Sequence, residues 1–312
     1  MIDVLTNEEK IGFALRQLYS QKGYRHYSMS KFEEYDFYAR NKSFLVSDAV
    51  ITFTDTNGKL MALKPDVTLS IVKGSRLSDE PLYKVYYNEN VYRVSSLSHR
   101  FSEITQTGLE CIGQVDDECR AEVLSLAAAS LRYISPESIL SISHLDILSG
   151  FVKAMGLEDD EERAVLKCIA DKNLSGISEI SDNENADRLK ELISTSGKPS
   201  EVFPKLRQLG CSDEYFRQLE KLIGDLEKNG YGDMVNIDFS IVNDQTYYNG
   251  IVFRGFVSGI PFRVLAGGQY DGLLKKMGRD DSAIGFAVYL DMLDYLPKEK
   301  IGLNIETGEE TV

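Results

Sequence analysis

Four segments of the chain carry polar side chains where a half-buried strand would hold apolar ones. In Leu63-Lys64-Pro65-Asp66-Val67-Thr68, Asp66 and Thr68 stand two apart, so in an extended chain both project to one side. A carboxylate beside a hydroxyl suits an ammonium group, although taken alone Asp66 fits better as the cap of a helix beginning near Val67. In the run from Glu103 to Glu110, Gln106, Gly108 and Glu110 share a strand face opposite Thr105, Thr107 and Leu109. The glycine leaves room for a ligand between two long polar side chains; a solvated face fits the same pattern. Thr246-Tyr247-Tyr248-Asn249 puts paired tyrosines at a strand entrance, where aromatics usually serve packing. Gly267-Gly268-Gln269-Tyr270-Asp271-Gly272 reads as a turn into a helix, its glycines open to a ligand or needed by the turn alone.

The elements that must position these residues are legible in the pattern. Thr6-x-x-Glu9 is a capping box ahead of Ile11, Leu15, Leu18 and Tyr19, and Gly23 stops that first helix. Ala49–Thr54 and Leu60–Leu63 flank Asn57-Gly58, a hairpin signal. Leu82–Arg93 and Glu103–Gly113 read as long strands joined by the polar loop Val94–Arg100, which could serve as a flap. Glu118–Tyr133 reads as a helix ending before Pro136, its Ala127–Ala129 run implying close packing, and Ile139–Ile147 as a strand. From about Gly156 to Gly232 the chain is charged and helical in pattern, with Phe216, Leu219, Leu222, Ile223 and Leu226 forming one stripe after a Ser212 cap. Strand patterns return at Val235–Ser240, Gly250–Val257, Phe262–Leu265 and Ser282–Leu290, the third followed by the Gly267-Gly268 turn and the last leading into a short helix through Leu293. This order predicts an α+β fold, helices packed on an antiparallel sheet, with 156–232 as a helical insertion between 1–155 and 233–312.

Composition narrows the function. The chain has 312 residues, 43% of them hydrophobic, enough to bury a full core. Lys and Arg number 35 against 49 Asp and Glu, a net charge of −14 that disfavours a free-standing nucleic-acid binder. No run of about 18 apolar residues predicts a membrane span, and the first residues carry no signal-peptide pattern. Four scattered cysteines and three distant histidines (His26, His99, His144) offer no metal spacing and no disulfide framework, so a reducing cytoplasm is the expected compartment. Neither GxGxxG nor a P-loop lysine is present, and no cofactor is implied. His99 reads as a solvated loop residue and His144 as a sheet-face residue.

In order and spacing, these segments resemble the histidyl-tRNA synthetase family over nearly the whole chain. The resemblance runs through Gly23-Tyr24, Phe32-Glu33, LKPDVT at the place of an LRPEGT-like motif, Tyr92-Arg93, QTGLECIG, YYNGIVF, GGQYDGL and AIGFAVYLDML. It implies a class II aminoacyl-tRNA synthetase-like core, normally a homodimer. It also implies that Asp66 and Thr68 hold an α-amino group, that Gln106 and Glu110 lie around the amino group and an imidazole, and that Tyr247 and Tyr248 line the side-chain pocket. Histidine is then the expected ligand.

The departures from the family bear on catalysis. Arg93 survives from the Arg-x-Glu unit that grips ATP, but Ser95 replaces its glutamate, and only Arg100 remains of the charged loop that follows. Asn243, Met292 and Ser30 stand where the family has two arginines and a proline, and the resemblance places Asn243 and Gln269 towards the ligand's carboxylate end. Each lost phosphate contact removes several kcal/mol of transition-state stabilisation. Arg93 and Arg100 are thus expected as remnants of an ATP site, with no catalytic residues. The chain stops at Val312, about where an anticodon-binding domain would begin. Together these features are similar to the regulatory subunits of ATP phosphoribosyltransferase. The implied partner is a short-form catalytic subunit, in a hetero-oligomer that starts histidine biosynthesis, with histidine as feedback effector. Two alternatives stay open: a residual enzyme that adenylates histidine for a small or protein acceptor, and a free-standing amino-acid sensor.

Overall fold

The computed structural model describes residues 4–45, 50–75, 80–94, 100–242 and 247–296. Helix α1 (Asn7–Gln21) opens on the expected capping box: the Thr6 N–H donates to Glu9 Oε2 at 2.8 Å and the Glu9 N–H to Thr6 Oγ1 at 3.2 Å. Ile11, Leu15 and Tyr19 are fully buried, and Gly23 follows the helix with φ of +83°. Strands β1 (Arg25–His26) and β2 (Phe32–Glu34) lead into α2 (Tyr35–Arg40). Strands β3 (Thr52–Thr54) and β4 (Leu60–Leu63) form the hairpin, Thr54 opposite Leu60. Its turn is wider than Asn57-Gly58, because Asp55 Oδ1 accepts the N–H groups of both Asn57 and Lys59 at 2.8 Å. Helix α3 (Thr68–Ser75) comes next, then the paired long strands β5 (Leu82–Val94) and β6 (Phe101–Gly113). Residues 95–99 of the loop expected as a flap, Ser95 and His99 among them, lie outside the described residues.

Helix α4 (Asp117–Ile134) packs as its alanines require: Ala127 and Ala128 are fully buried, and a Cβ added at Gly255 would lie 2.6 Å from a Leu131 methyl. Strand β7 (Ser138–His144) is shorter than expected, ending where helix α5 (Leu145–Ala154) begins. The apolar residues Leu148, Phe151 and Val152 recur there at helical spacing, which overrides the strand pattern read for Ile147. His144, fully buried at that junction, has its Nε2 2.8 Å from Gln218 Oε1, and burial lowers its pKa. The following helices are α6 (Asp159–Ala170), α7 (Leu174–Ile180), α8 (Glu184–Ser194), α9 (Pro199–Leu209) and α10 (Asp213–Lys228). The apolar stripe of α10 is buried, although the Ser212 side chain makes no capping bond. A two-residue strand, β8 (Ser196–Gly197), lies within this segment, where none was expected.

Four strands complete the chain: β9 (Val235–Asp238), β10 (Asn249–Val257), β11 (Leu265–Gln269) and, after helix α11 (Asp271–Lys276), β12 (Ser282–Tyr289). Gly267 and Gly268 are not a turn but the middle of β11. A Cβ on Gly267 would lie 2.7 Å from the Phe253 ring, and one on Gly268 would lie 2.8 Å from Ile251 O and 2.9 Å from the Tyr248 ring. Glycine in a strand here marks close approach of neighbours rather than a bend.

The main sheet runs β1-β5-β6-β12-β11-β10-β7-β9-β8, and β2-β4-β3 make a second, small sheet. Among the described residues of the main sheet, only β1–β5 and β7–β9 pair in parallel. The result is an α+β fold. Leu109, Cys111, Ile142, Phe253 and Phe286 face the helices, sharing one apolar cluster with α1, α4, α5 and α6 to α10. On the opposite face Val85, Tyr87, Val91 and Ile112 pack with α2, α3 and α11. The candidate site lies on that second face.

Candidate functional site

Strand β6 supplies the floor. Gln106 and Glu110 are buried on the α3 side of the sheet, 3% and 2% exposed. Gly108 sits between them, but the expected room is filled: a Cβ there would lie 2.7 Å from the Tyr87 hydroxyl. Tyr87 therefore becomes part of the wall.

Asp66 stands at the start of α3 and at the wall of the cavity. Its Oδ1 accepts the Leu69 N–H at 2.9 Å, capping α3, and the residue also lines the cavity. Burial raises its pKa, opposed by the backbone bond from Leu69 and by the nearby Arg93 charge. Arg93 Nε in turn donates to Pro65 O at 3.0 Å, which pins the segment carrying Asp66 to β5. Lys64 of the same segment, 1% exposed, is held by an ion pair with Glu89.

Glu110 is the centre of the site. Thr68 donates to its Oε1 at 2.8 Å and Tyr270 to its Oε2 at 2.6 Å. Burial pushes its pKa up to about 8 against the pull of these two bonds, with the Asp66 charge adding to the rise. Gly285, its neighbour across β12, must lack a side chain, because a Cβ there would overlap Glu110 Oε2 and lie 2.5 Å from Leu109 O. The tyrosines close the cavity: Tyr247 lies 4.7 Å from Tyr248 and 5.7 Å from Tyr270, ring centre to ring centre. Burial raises the pKa of Tyr87, Tyr247 and Tyr270, so all three remain hydroxyl donors.

The cavity holds about 170 Å³. That is below the roughly 300 Å³ at which drug-sized pockets begin, and it suits a small metabolite. All six expected ligand residues, Asp66, Thr68, Gln106, Glu110, Tyr247 and Tyr248, line it together with Arg93. Gln106 Nε2 is buried without a hydrogen-bond partner, a donor that a ligand would satisfy. Two carboxyls and five tyrosines around a small space can hold a cation or an imidazole.

Arg100, by contrast, is exposed just ahead of β6 and does not line the cavity. Met292 packs against the helical core and lines a separate open cleft with Phe256 and Phe262. Gln269 is used structurally: its Oε1 accepts the Ile251 N–H at 3.3 Å beside an irregularity in β10. Asn243 and Thr246 lie outside the described residues. Among the described residues, no three His, Cys, Asp or Glu side chains gather as a metal site.

Tyr87, Tyr270, Arg263 and Gly285 were not singled out from the sequence as ligand residues, yet all four line the cavity. Tyr270 sat in a motif read as a turn. The role of Gly285 depends on a cross-strand pairing with Glu110 that sequence spacing does not encode.

A mostly antiparallel sheet flanked by helices, with this site on the face that carries α2, α3 and α11, is a class II synthetase-like core. The family profile described as histidyl-tRNA synthetase matches residues 4–293. The ATP phosphoribosyltransferase regulatory subunit of Clostridium kluyveri is 32% identical over 294 residues, 89% of this chain and 74% of that one. The protein of the same name from Bacillus cereus is 28% identical over 300 residues, 91% and 71% of the two chains. The chain belongs to the histidyl-tRNA synthetase family, within its ATP phosphoribosyltransferase regulatory subunit group. The fold agrees with two solved structures. An ATP phosphoribosyltransferase regulatory subunit/histidyl-tRNA synthetase from Bacillus halodurans superposes with a TM-score of 0.84 at 23% identity, covering 93% of this chain and 78% of that one. The ATP phosphoribosyl transferase (HisG:HisZ) complex from Thermotoga maritima gives 0.74 at 20%, with coverage of 92% and 98%.

Proposed function

We propose that this chain is a non-catalytic regulatory subunit of ATP phosphoribosyltransferase, acting in the first step of histidine biosynthesis in the cytoplasm. It binds histidine in the cavity around Glu110, and it activates and feedback-regulates a short-form catalytic subunit. Within the hetero-oligomer it is a homodimer, its core formed by 1–155 and 233–312 and its helical insertion by 156–232.

The observation that carries this proposal is the convergence of Asp66, Thr68, Gln106, Glu110, Tyr247 and Tyr248 on one small cavity. The carboxyls and hydroxyls fit an ammonium and an imidazole. Feedback follows if histidine binds one state of the complex better than the other, since only differential affinity shifts an equilibrium. Light scattering of the chain mixed with a short-form catalytic subunit tests the partnership. A particle heavier than either component is expected; two unchanged components would sink the assignment.

A further inference from the structure

The cavity carries polar groups at two ends. At one pole Glu110 lies against Gly285 on β12, with Thr68 and Tyr270 on its oxygens. Four residues further along β12, Tyr289 pairs with Gln106. The guanidinium of Arg263 stands 5.9 Å from the centre of that Tyr289 ring. Arg263 and Arg93 both line the cavity, and Arg93 is tied to Pro65 O. Arg263 is placed by backbone rather than by chance. The adjacent Val264 donates its N–H to Gly255 O at 2.8 Å, and its own carbonyl accepts the Tyr289 N–H at 2.8 Å. The short connection between β10 and β11 thus delivers one arginine to the wall at the end of the cavity away from Gly285.

An ammonium or imidazolium brought against Glu110 would favour loss of that carboxyl's proton, and an arginine at the other end calls for an anion, so a ligand that satisfies both ends carries a cation and an anion. We propose that Arg263 anchors the carboxylate of an α-amino acid bound in this cavity, so the site selects a zwitterion over the corresponding amine. The proposal rests on the histidine assignment above and names the group that recognises the ligand's acid end. A planar guanidinium takes a carboxylate through two parallel N–H donors, which neither Gln106 nor the tyrosines can offer.

Calorimetry with histidine and with histamine, which lacks only the carboxylate, tests this in the wild type and in Arg263→Gln. Histidine is expected to bind the wild type more tightly than histamine does. The variant should lose about 10- to 100-fold in histidine affinity while its histamine affinity stays unchanged. Unchanged histamine binding also shows that the variant's cavity has kept its shape. Equal loss for both ligands, or no loss for histidine, overturns the role of Arg263 and leaves the histidine site standing. If the wild type binds histamine but not histidine, or neither, the histidine assignment itself fails and the anchor with it.

Discussion

Glu110 is a carboxyl buried among hydroxyls, and its protonation follows from that burial. In the unfolded chain a glutamate ionises near 4.5, whereas here its pKa is pushed up to about 8. Between those values the folded state keeps a proton that the unfolded state has lost. The stability this proton confers is therefore complete below about 4.5 and is lost as pH rises through about 8. Glu110→Gln removes that slope. Thermal melts should show the variant gaining on the wild type from pH 5 to pH 8, by at most about 1.4 kcal/mol per pH step of one. Melting profiles that run parallel across this range would contradict a buried, proton-holding Glu110.

At the scale of elements, α3 and the site share one residue. Asp66 caps the helix through the Leu69 N–H and faces the cavity, so two substitutions separate its duties. Asp66→Asn keeps a capping oxygen and should melt near the wild type, yet bind histidine far more weakly in calorimetry. Asp66→Ala should lose both, with about 0.5–2 kcal/mol of stability gone with the cap. If Asn binds histidine as well as Asp does, the carboxylate is a cap and nothing more. The elements were largely legible because their signals are local: the capping box of α1, the alternation in β6 and the stripe of α10 each lie within one window. The misreadings are non-local. Gly267-Gly268 carries a turn's composition, but the crowding of Phe253, Ile251 and Tyr248 that demands glycine comes from elsewhere in the chain. Strand β8 is two residues long, too short for any period to show, and exists only because β9 offers an edge. The site was legible in the same proportion. The residues of LKPDVT, QTGLE and YYN announce themselves as polar groups in strand-like sequence. Tyr270 and Arg263 acquire meaning only when β11 and β12 bring their neighbours beside β6.

For the whole molecule, the net charge of −14 now sits on a defined architecture. Helices cover one face of a nine-stranded sheet, and the other face carries a cavity of about 170 Å³ whose six expected ligand residues come from β6, α3 and the segments leading into α3 and β10. No helix among the described residues is long and apolar enough to cross a membrane. The residues proposed to hold histidine are gathered at that one cavity. We propose that this pocket serves a partner's activity. The most direct measurement is the steady-state rate of a short-form ATP phosphoribosyltransferase, with and without this chain, across a histidine titration. Adding the chain should raise the rate, histidine should then lower it, and Glu110→Ala should preserve the activation while abolishing the histidine response. A rate indifferent to the chain, or histidine inhibition undiminished in Glu110→Ala, would contradict this proposal.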